Sequence, residues 1–210
     1  MKIKTFTFNS FQENTYILYD ETKECIVIDP GCYTEEEKEV LSKFINNNEL
    51  TPVKLINTHC HIDHIFGNKY VSEKWNLDLY ANSLILLKEA KSISNLYGFN
   101  NYEDSPKPKF LIENNQIIKF GKQQLKVLYT PGHSPDHVCL YNKENDLLIA
   151  GDLIFKESIG RYDLPGGDYD ILINSIKEQI ICLPDNTKIF SGHGPATLLE
   201  YEKKNNPYLN

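Results

Sequence analysis

Polar and apolar positions alternate from Lys2 to Phe8, the two-residue period of a strand with one buried face. Residues 15–19 are aromatic and β-branched, and residues 25–28 form an apolar run closed by the turn Asp29-Pro30-Gly31. These three stretches read as successive strands on short turns. Residues 35–48 change to a helical period, with Val40, Leu41, Phe44 and Ile45 on one face and acidic residues in the first turn, where the helix dipole favours them. A buried strand is expected at 53–56, a helix at 67–75, a strand at 77–81 and a helix at 82–95. Residues 98–108 are polar, contain Pro106 and Pro108, and read as an exposed loop; their Tyr and Phe residues either wall a pocket or pin the loop down. Strands return at 116–120, 124–129, 137–141 and 147–150, followed by a helix over 168–182, a short strand at 188–190 and a closing helix from about Ala196. Strands and helices, then strands and helices again, fit two sheets with helices outside.

At 210 residues the chain suits one domain, read as spanning 1–210. No apolar run approaches the roughly 20 residues of a membrane span, and the first residues lack the apolar segment and cleavage site of a secretory signal. Five scattered cysteines without a C-x-x-C pair argue against a disulfide framework and fit a reducing, cytoplasmic setting. A net charge of −7 disfavours a nucleic-acid partner.

The chemistry concentrates in Thr58-His59-Cys60-His61-Ile62-Asp63-His64, directly after the strand expected at 53–56. Three histidines and a carboxylate in six residues are hard to pack as inert side chains, because buried polar groups need partners. Imidazole and carboxylate suit zinc, iron and related ions. His59 and His61 point the same way while the backbone is extended, Asp63 and His64 must turn elsewhere, and Cys60 faces away from the histidines as buried filler. One loop thus offers two groups of ligands. Three further stretches share a pattern of short apolar strand, glycine, then His or Asp: they end in Gly132-His133, Gly151-Asp152 and Gly192-His193.

The T-H-x-H-x-D-H loop, the P-G-H, the G-D and the G-H-G, in that order, resemble the metallo-β-lactamase superfamily. The string Gly160-Arg161-Tyr162-Asp163-Leu164-Pro165-Gly166-Gly167 is similar to short bacterial glyoxalase II-like hydrolases. The resemblance implies an α/β fold, an αββα sandwich of two mixed sheets with helices on both outer faces. It implies two divalent metal ions, zinc first and iron or manganese as options. His59, His61 and His133 would hold one ion, Asp63, His64 and His193 the other, and Asp152 would bridge them.

Such a pair lowers the pKa of a shared water toward about 7. The implied activity is hydrolysis of a small acyl-thioester such as S-lactoylglutathione, with Asp63 also orienting the attacking hydroxide. A thiolate leaves without a dedicated general acid, and the sequence offers none. Arg161 would meet an anionic group of the substrate, or else pair with Asp163 at the surface. Asp29 would orient a histidine of the loop, or simply start a turn. His137 is either a partner behind the metal ligands or a structural histidine. Only seventeen residues follow His193, enough for one helix, whereas full-length glyoxalase II has a helical extension that supplies much of its glutathione site; the thiol is left open. The competing readings are a mononuclear iron persulfide dioxygenase of the same fold, with His59, His133 and Asp152 on the iron, and a metal-stabilised module without catalysis.

Overall fold

The computed structural model describes residues 1–82 and 85–209, with the backbone alone at 85 and 86. The chain groups into two compact units, Met1–Ile112 with Lys119–Gln123, and Glu113–Ile118 with the chain from Gln124 onward.

The first unit carries six strands, β1 (Lys2–Phe8), β2 (Glu13–Tyr19), β3 (Glu24–Ile28), β4 (Thr51–Ile56), β5 (Leu79–Ala81) and β6 (Phe110–Leu111), side by side in that order. β1, β2 and β3 are antiparallel neighbours, and β3 to β6 run parallel. Its helices are α1 (Glu35–Asn47), α2 (Ile62–Ile65), α3 (Asn68–Trp75) and α4 (Ile85–Leu96). The start of the helix expected at 82–95 lies partly outside the described residues, at 83 and 84. β6 was not anticipated, since a two-residue strand has no period to read.

Alternate positions of the strands, Phe6 and Phe8, Ile17, Cys25 and Val27, and Leu55, form one core with Leu41 and Ile45 of α1, Val71 of α3 and Ala90 of α4. Burying each such aliphatic side chain contributes about 1.5–3 kcal/mol. α1 starts on a reciprocal cap: the Thr34 hydroxyl accepts from Glu37 N–H, and the Glu37 carboxylate accepts from Thr34 N–H. The 98–108 loop is pinned down by its rings. Tyr102 is buried, and Phe99 packs on Phe66 and Tyr33 at centroid distances of 4.6 and 5.1 Å.

The second unit holds the first half of β7 (Ile117–Phe120), most of β8 (Gln123–Tyr129), β9 (Val138–Asn142), β10 (Leu147–Gly151), β11 (Ile154–Phe155), β12 (Ser158–Ile159), β13 (Lys188–Ser191) and β14 (Thr197–Leu198). Six of them form a sheet in the order β14-β13-β10-β9-β8-β7, with β10 and β13 parallel, while β11 and β12 make a small separate hairpin. The helix expected over 168–182 is α5 (Tyr169–Ser175), capped by Asp168, continued by a π-helical turn at Ile176–Ile180. The closing helix, α6 (Leu199–Asn205), begins after β14. Leu172, Ile173, Ile176 and Ile180 pack with Cys139, Leu148, Ala150, Ile189 and Leu199 as the core of this unit. Gly132 is required there: its φ is +131°, and a Cβ would lie 2.3 Å from the backbone of Leu172.

Candidate metal centre

In the first unit, β4 delivers the chain into Asn57 and Thr58, and His59 to His64 follow. The loop does not stay extended: it closes into α2, which carries Asp63 and His64, with His61 at the helix start. The three imidazoles crowd together, His59 lying 4.7 Å from the His61 ring and 4.1 Å from the His64 ring. Cys60 is buried in the apolar core, as filler should be.

Asp29 organises the loop from behind. It sits at the end of β3 with φ +47°, a left-handed conformation that Asp tolerates better than most residues. One carboxylate oxygen accepts from Thr58 N–H at 2.7 Å, and the other accepts from the Thr58 hydroxyl at 2.6 Å and faces His64 Nδ1 at 3.2 Å. The Thr58 hydroxyl gives its proton to Asp29, so towards His59 Nδ1, 3.1 Å away, it can only accept. His59 and His64 therefore carry their protons on Nδ1 and present Nε2. An oxygen of Asp29 lies within 4.8 Å of ligand nitrogens of His59 and His64. Its oxygens already accept from Thr58 and face His64, so Asp29 fixes the loop and the His64 ring in place. Gly31 lets the turn close on this loop, since a Cβ there would come within 2.7 Å of the Asp63 carbonyl.

In the second unit, His133 follows β8, Asp152 follows β10 and His193 follows β13. Asp152 Oδ2 is 3.6 Å from His133 Nε2 and 3.4 Å from His193 Nε2. These separations are long for hydrogen bonds, but two ligand atoms about 2.1 Å from one tetrahedral ion stand roughly 3.4 Å apart. In the first unit, His64 Nε2 and Asp63 Oδ2 are 3.8 Å apart. His133 donates Nδ1–H to the Arg161 carbonyl at 2.7 Å, so it too presents Nε2.

His137 is buried, and its Nε2 accepts from the backbone N–H of Asp152 at 3.0 Å. Its proton is thereby on Nδ1, 2.9 Å from the Thr130 hydroxyl. A neutral imidazole thus holds the main chain at Asp152. The Arg161 guanidinium forks onto both oxygens of Asp163 at 2.8 and 2.9 Å and is more than half exposed; the part of Arg161 that touches a candidate ligand is its carbonyl.

Sequence reasoning missed Glu13, at the start of β2. It is fully buried, accepts from Thr15 Oγ1 at 2.9 Å, and has its other oxygen 3.9 Å from His64 Nδ1. Burial pushes its carboxyl well above the usual carboxylate range, with His64 pulling the other way and Asp29 adding to the push. The available signal is its place in the strand: Glu13 shares a face with Thr15 and Ile17, so an inward-facing strand begins with an acid.

The family model of the metallo-β-lactamase superfamily matches residues 9–193. The chain belongs to that superfamily. As one of its members it is 37% identical over 213 residues to the probable metallo-hydrolase YqgX of Bacillus subtilis, covering 100% of this chain and 98% of that protein. It is 29% identical to the hydroxyacylglutathione hydrolase GloC of Haemophilus influenzae, again over 100% of this chain and over 99% of the relative. Among solved structures, TTHA1623 in a di-iron-bound form superposes with a TM-score of 0.87 at 34% identity, covering 98% of this chain and 100% of that one. The α/β class of mixed sheets and helices expected from the sequence is the class of these superfamily structures. The chain is a metallo-hydrolase by family, with His and Asp groups suited to metal.

Proposed function

We propose that the protein is a dinuclear metal-dependent hydrolase of small acyl-thioesters, S-lactoylglutathione among them, working in the cytoplasm. In this reading His59, His61 and His133 would hold one ion, Asp63, His64 and His193 would hold the second, and Asp152 would serve both. The observation that carries it is the commitment of Nδ1 in His59, His64 and His133 to Thr58, Asp29 and Arg161, which leaves each Nε2 oriented for a metal. The glyoxalase-type name of the Haemophilus influenzae relative and the di-iron form of TTHA1623 support the substrate class and the nuclearity.

When bound, the ions supply a water activated at neutral pH and stabilise the oxyanion that forms on the attacked carbonyl. The side chains do the rest. The Asp63 carboxylate would accept a hydrogen bond from the nucleophile and so orient it. Asp29 and Thr58 keep two imidazoles from turning. Arg161, released from Asp163, pairs with a carboxylate of the substrate.

Metal content by mass spectrometry on protein purified without chelators, followed by S-lactoylglutathione hydrolysis, tests the reading. Two ions per chain and thioester cleavage that chelation abolishes and metal restores are expected. One iron per chain with oxygen uptake on glutathione persulfide, and no thioester cleavage, would replace it with the dioxygenase.

A further inference from the structure

His64 Nδ1 faces two carboxyl groups rather than one. Asp29 Oδ2 is 3.2 Å away, and Glu13 Oε1, carried by a different strand, is 3.9 Å away. Glu13 is held in that place by Thr15 and Gly31. Thr15 Oγ1 donates to its other oxygen at 2.9 Å, and Thr15 Oγ1 itself accepts from Gly31 N–H at 2.9 Å. Gly31 presses on it so closely that a Cβ would lie 2.0 Å from Glu13 Oε2. Glu13 Oε1 is buried and has no hydrogen-bond partner among the described residues.

A carboxyl group in such a position is costly, because the fold removes it from water and gives one oxygen nothing at hydrogen-bond distance. It contributes no apolar packing that a residue such as Met would not contribute at least as well. What distinguishes the place is its direction, towards the back of one imidazole.

We propose that Glu13 is a positioning residue for His64: its Oε1, 3.9 Å from Nδ1, stands behind the nearer Asp29 oxygen at 3.2 Å, and the two carboxyl groups together favour the ring orientation that reserves Nε2 for the second metal ion. Asp29, the nearer group, is shared with Thr58, which draws on both of its oxygens. Glu13 Oε1 is a second carboxyl oxygen near the same N–H, at 3.9 Å, and no other group claims it. This inference rests on the two-ion reading above and assigns Glu13 to one of the two ions.

The test is stepwise metal affinity, measured by chelator competition on metal-free protein, for wild type, Glu13→Met and Glu13→Gln. Groups behind metal ligands are worth about 10–100-fold in affinity, and the 3.9 Å separation places Glu13 near the lower figure. Glu13→Met, unbranched and of similar length, is expected to weaken the second ion about 10-fold and leave the first unchanged. Glu13→Gln, which keeps an acceptor oxygen, is expected to stay within about threefold of wild type. Melting of the metal-free proteins supplies the control, because a purely structural role would lower the melting temperature without separating the two ions. Equal weakening of both ions in Glu13→Met, no weakening of either, or a Glu13→Gln as weak as Glu13→Met would overturn the assignment. A wild-type chain that binds only one ion would overturn the two-ion reading and this inference with it. Two ions in the wild type and an unaffected Glu13→Met would remove Glu13 alone.

Discussion

At the scale of single residues, the metal-ligand candidates are held by groups behind them. His137 shows how far this goes: an imidazole spent on the backbone N–H of Asp152. Replacing it with Phe takes the acceptor from that N–H and leaves the Thr130 hydroxyl with Cys139 Sγ, and burying an unmet donor costs about 1–3 kcal/mol. His137→Phe should therefore lose about that much stability in a denaturant melt of the metal-free protein. An unchanged midpoint and slope would show that Asp152 needs no such support. The ligand candidates were legible in the sequence because their chemistry is local, three histidines and an aspartate in one loop and a glycine before each of the others. Their supports were legible only in part: Asp29 and His137 were each read with an ordinary structural alternative, and Glu13 was missed. Asp29 and Glu13 reach His64 from distant positions, and a lone acid in a strand or before Pro-Gly looks the same whether it meets an imidazole or water. The opposite error threatened at Arg161, whose side chain drew attention while its carbonyl makes the contact with His133.

At the scale of elements, the periodic stretches were read well and the short or irregular ones were not. α1 has an amphipathic face, an acidic first turn and a cap, and its reading agreed with the structure to within a residue. β6, β11, β12 and β14 have two residues each, too few for a period, and owe their existence to a neighbour's hydrogen bonds. The histidine loop also changed character, since α2 folds Asp63 and His64 out of the extended run.

The cap of α1 has a consequence of its own. Glu37 accepts from Thr34 N–H, from Tyr33 N–H at 2.7 Å and from Asn9 N–H at 2.6 Å, so it fastens the β1–β2 turn as well as the helix. Asn9 in turn donates to the Asp63 carbonyl at 3.1 Å. Thr34→Ala should cost about 1 kcal/mol, the usual value of a lost N-cap. Glu37→Ala should cost more, about 2–3 kcal/mol, since charge-assisted bonds to three separate donors go with it. Chemical denaturation of both variants checks the order; equal losses would mean that Glu37 serves the helix alone.

At the scale of the molecule, no described helix is long and apolar enough to cross a membrane. Asp20 contributes to how the first unit answers acid. Burial raises its pKa, but hydrogen bonds from Thr22, Lys122 and Gln123 outweigh this and bring the carboxyl down to about 2. A carboxylate with a depressed folded-state pKa stabilises the fold above its ordinary pKa near 4 and loses that contribution as the pH falls towards 2. Asp20→Asn should therefore be less stable than wild type by about 1–2 kcal/mol near neutrality. The gap should narrow as the pH drops below about 4, as followed by urea melts across that range. A gap independent of pH would assign the loss to geometry rather than charge.

The same contacts decide how the protein can be taken apart. Lys122 and Gln123 grip Asp20, yet they belong to a five-residue excursion, Lys119–Gln123, flanked on both sides by chain of the other unit. Neither unit is a continuous stretch of polypeptide. A fragment ended at Ile112 would lack the donors that Asp20 was shaped to receive, and one begun at Glu113 would carry a loop whose acceptor had been left behind. Dissection by a single cut cannot yield two intact halves, so recombinant pieces of this enzyme have to be designed by grafting rather than by truncation.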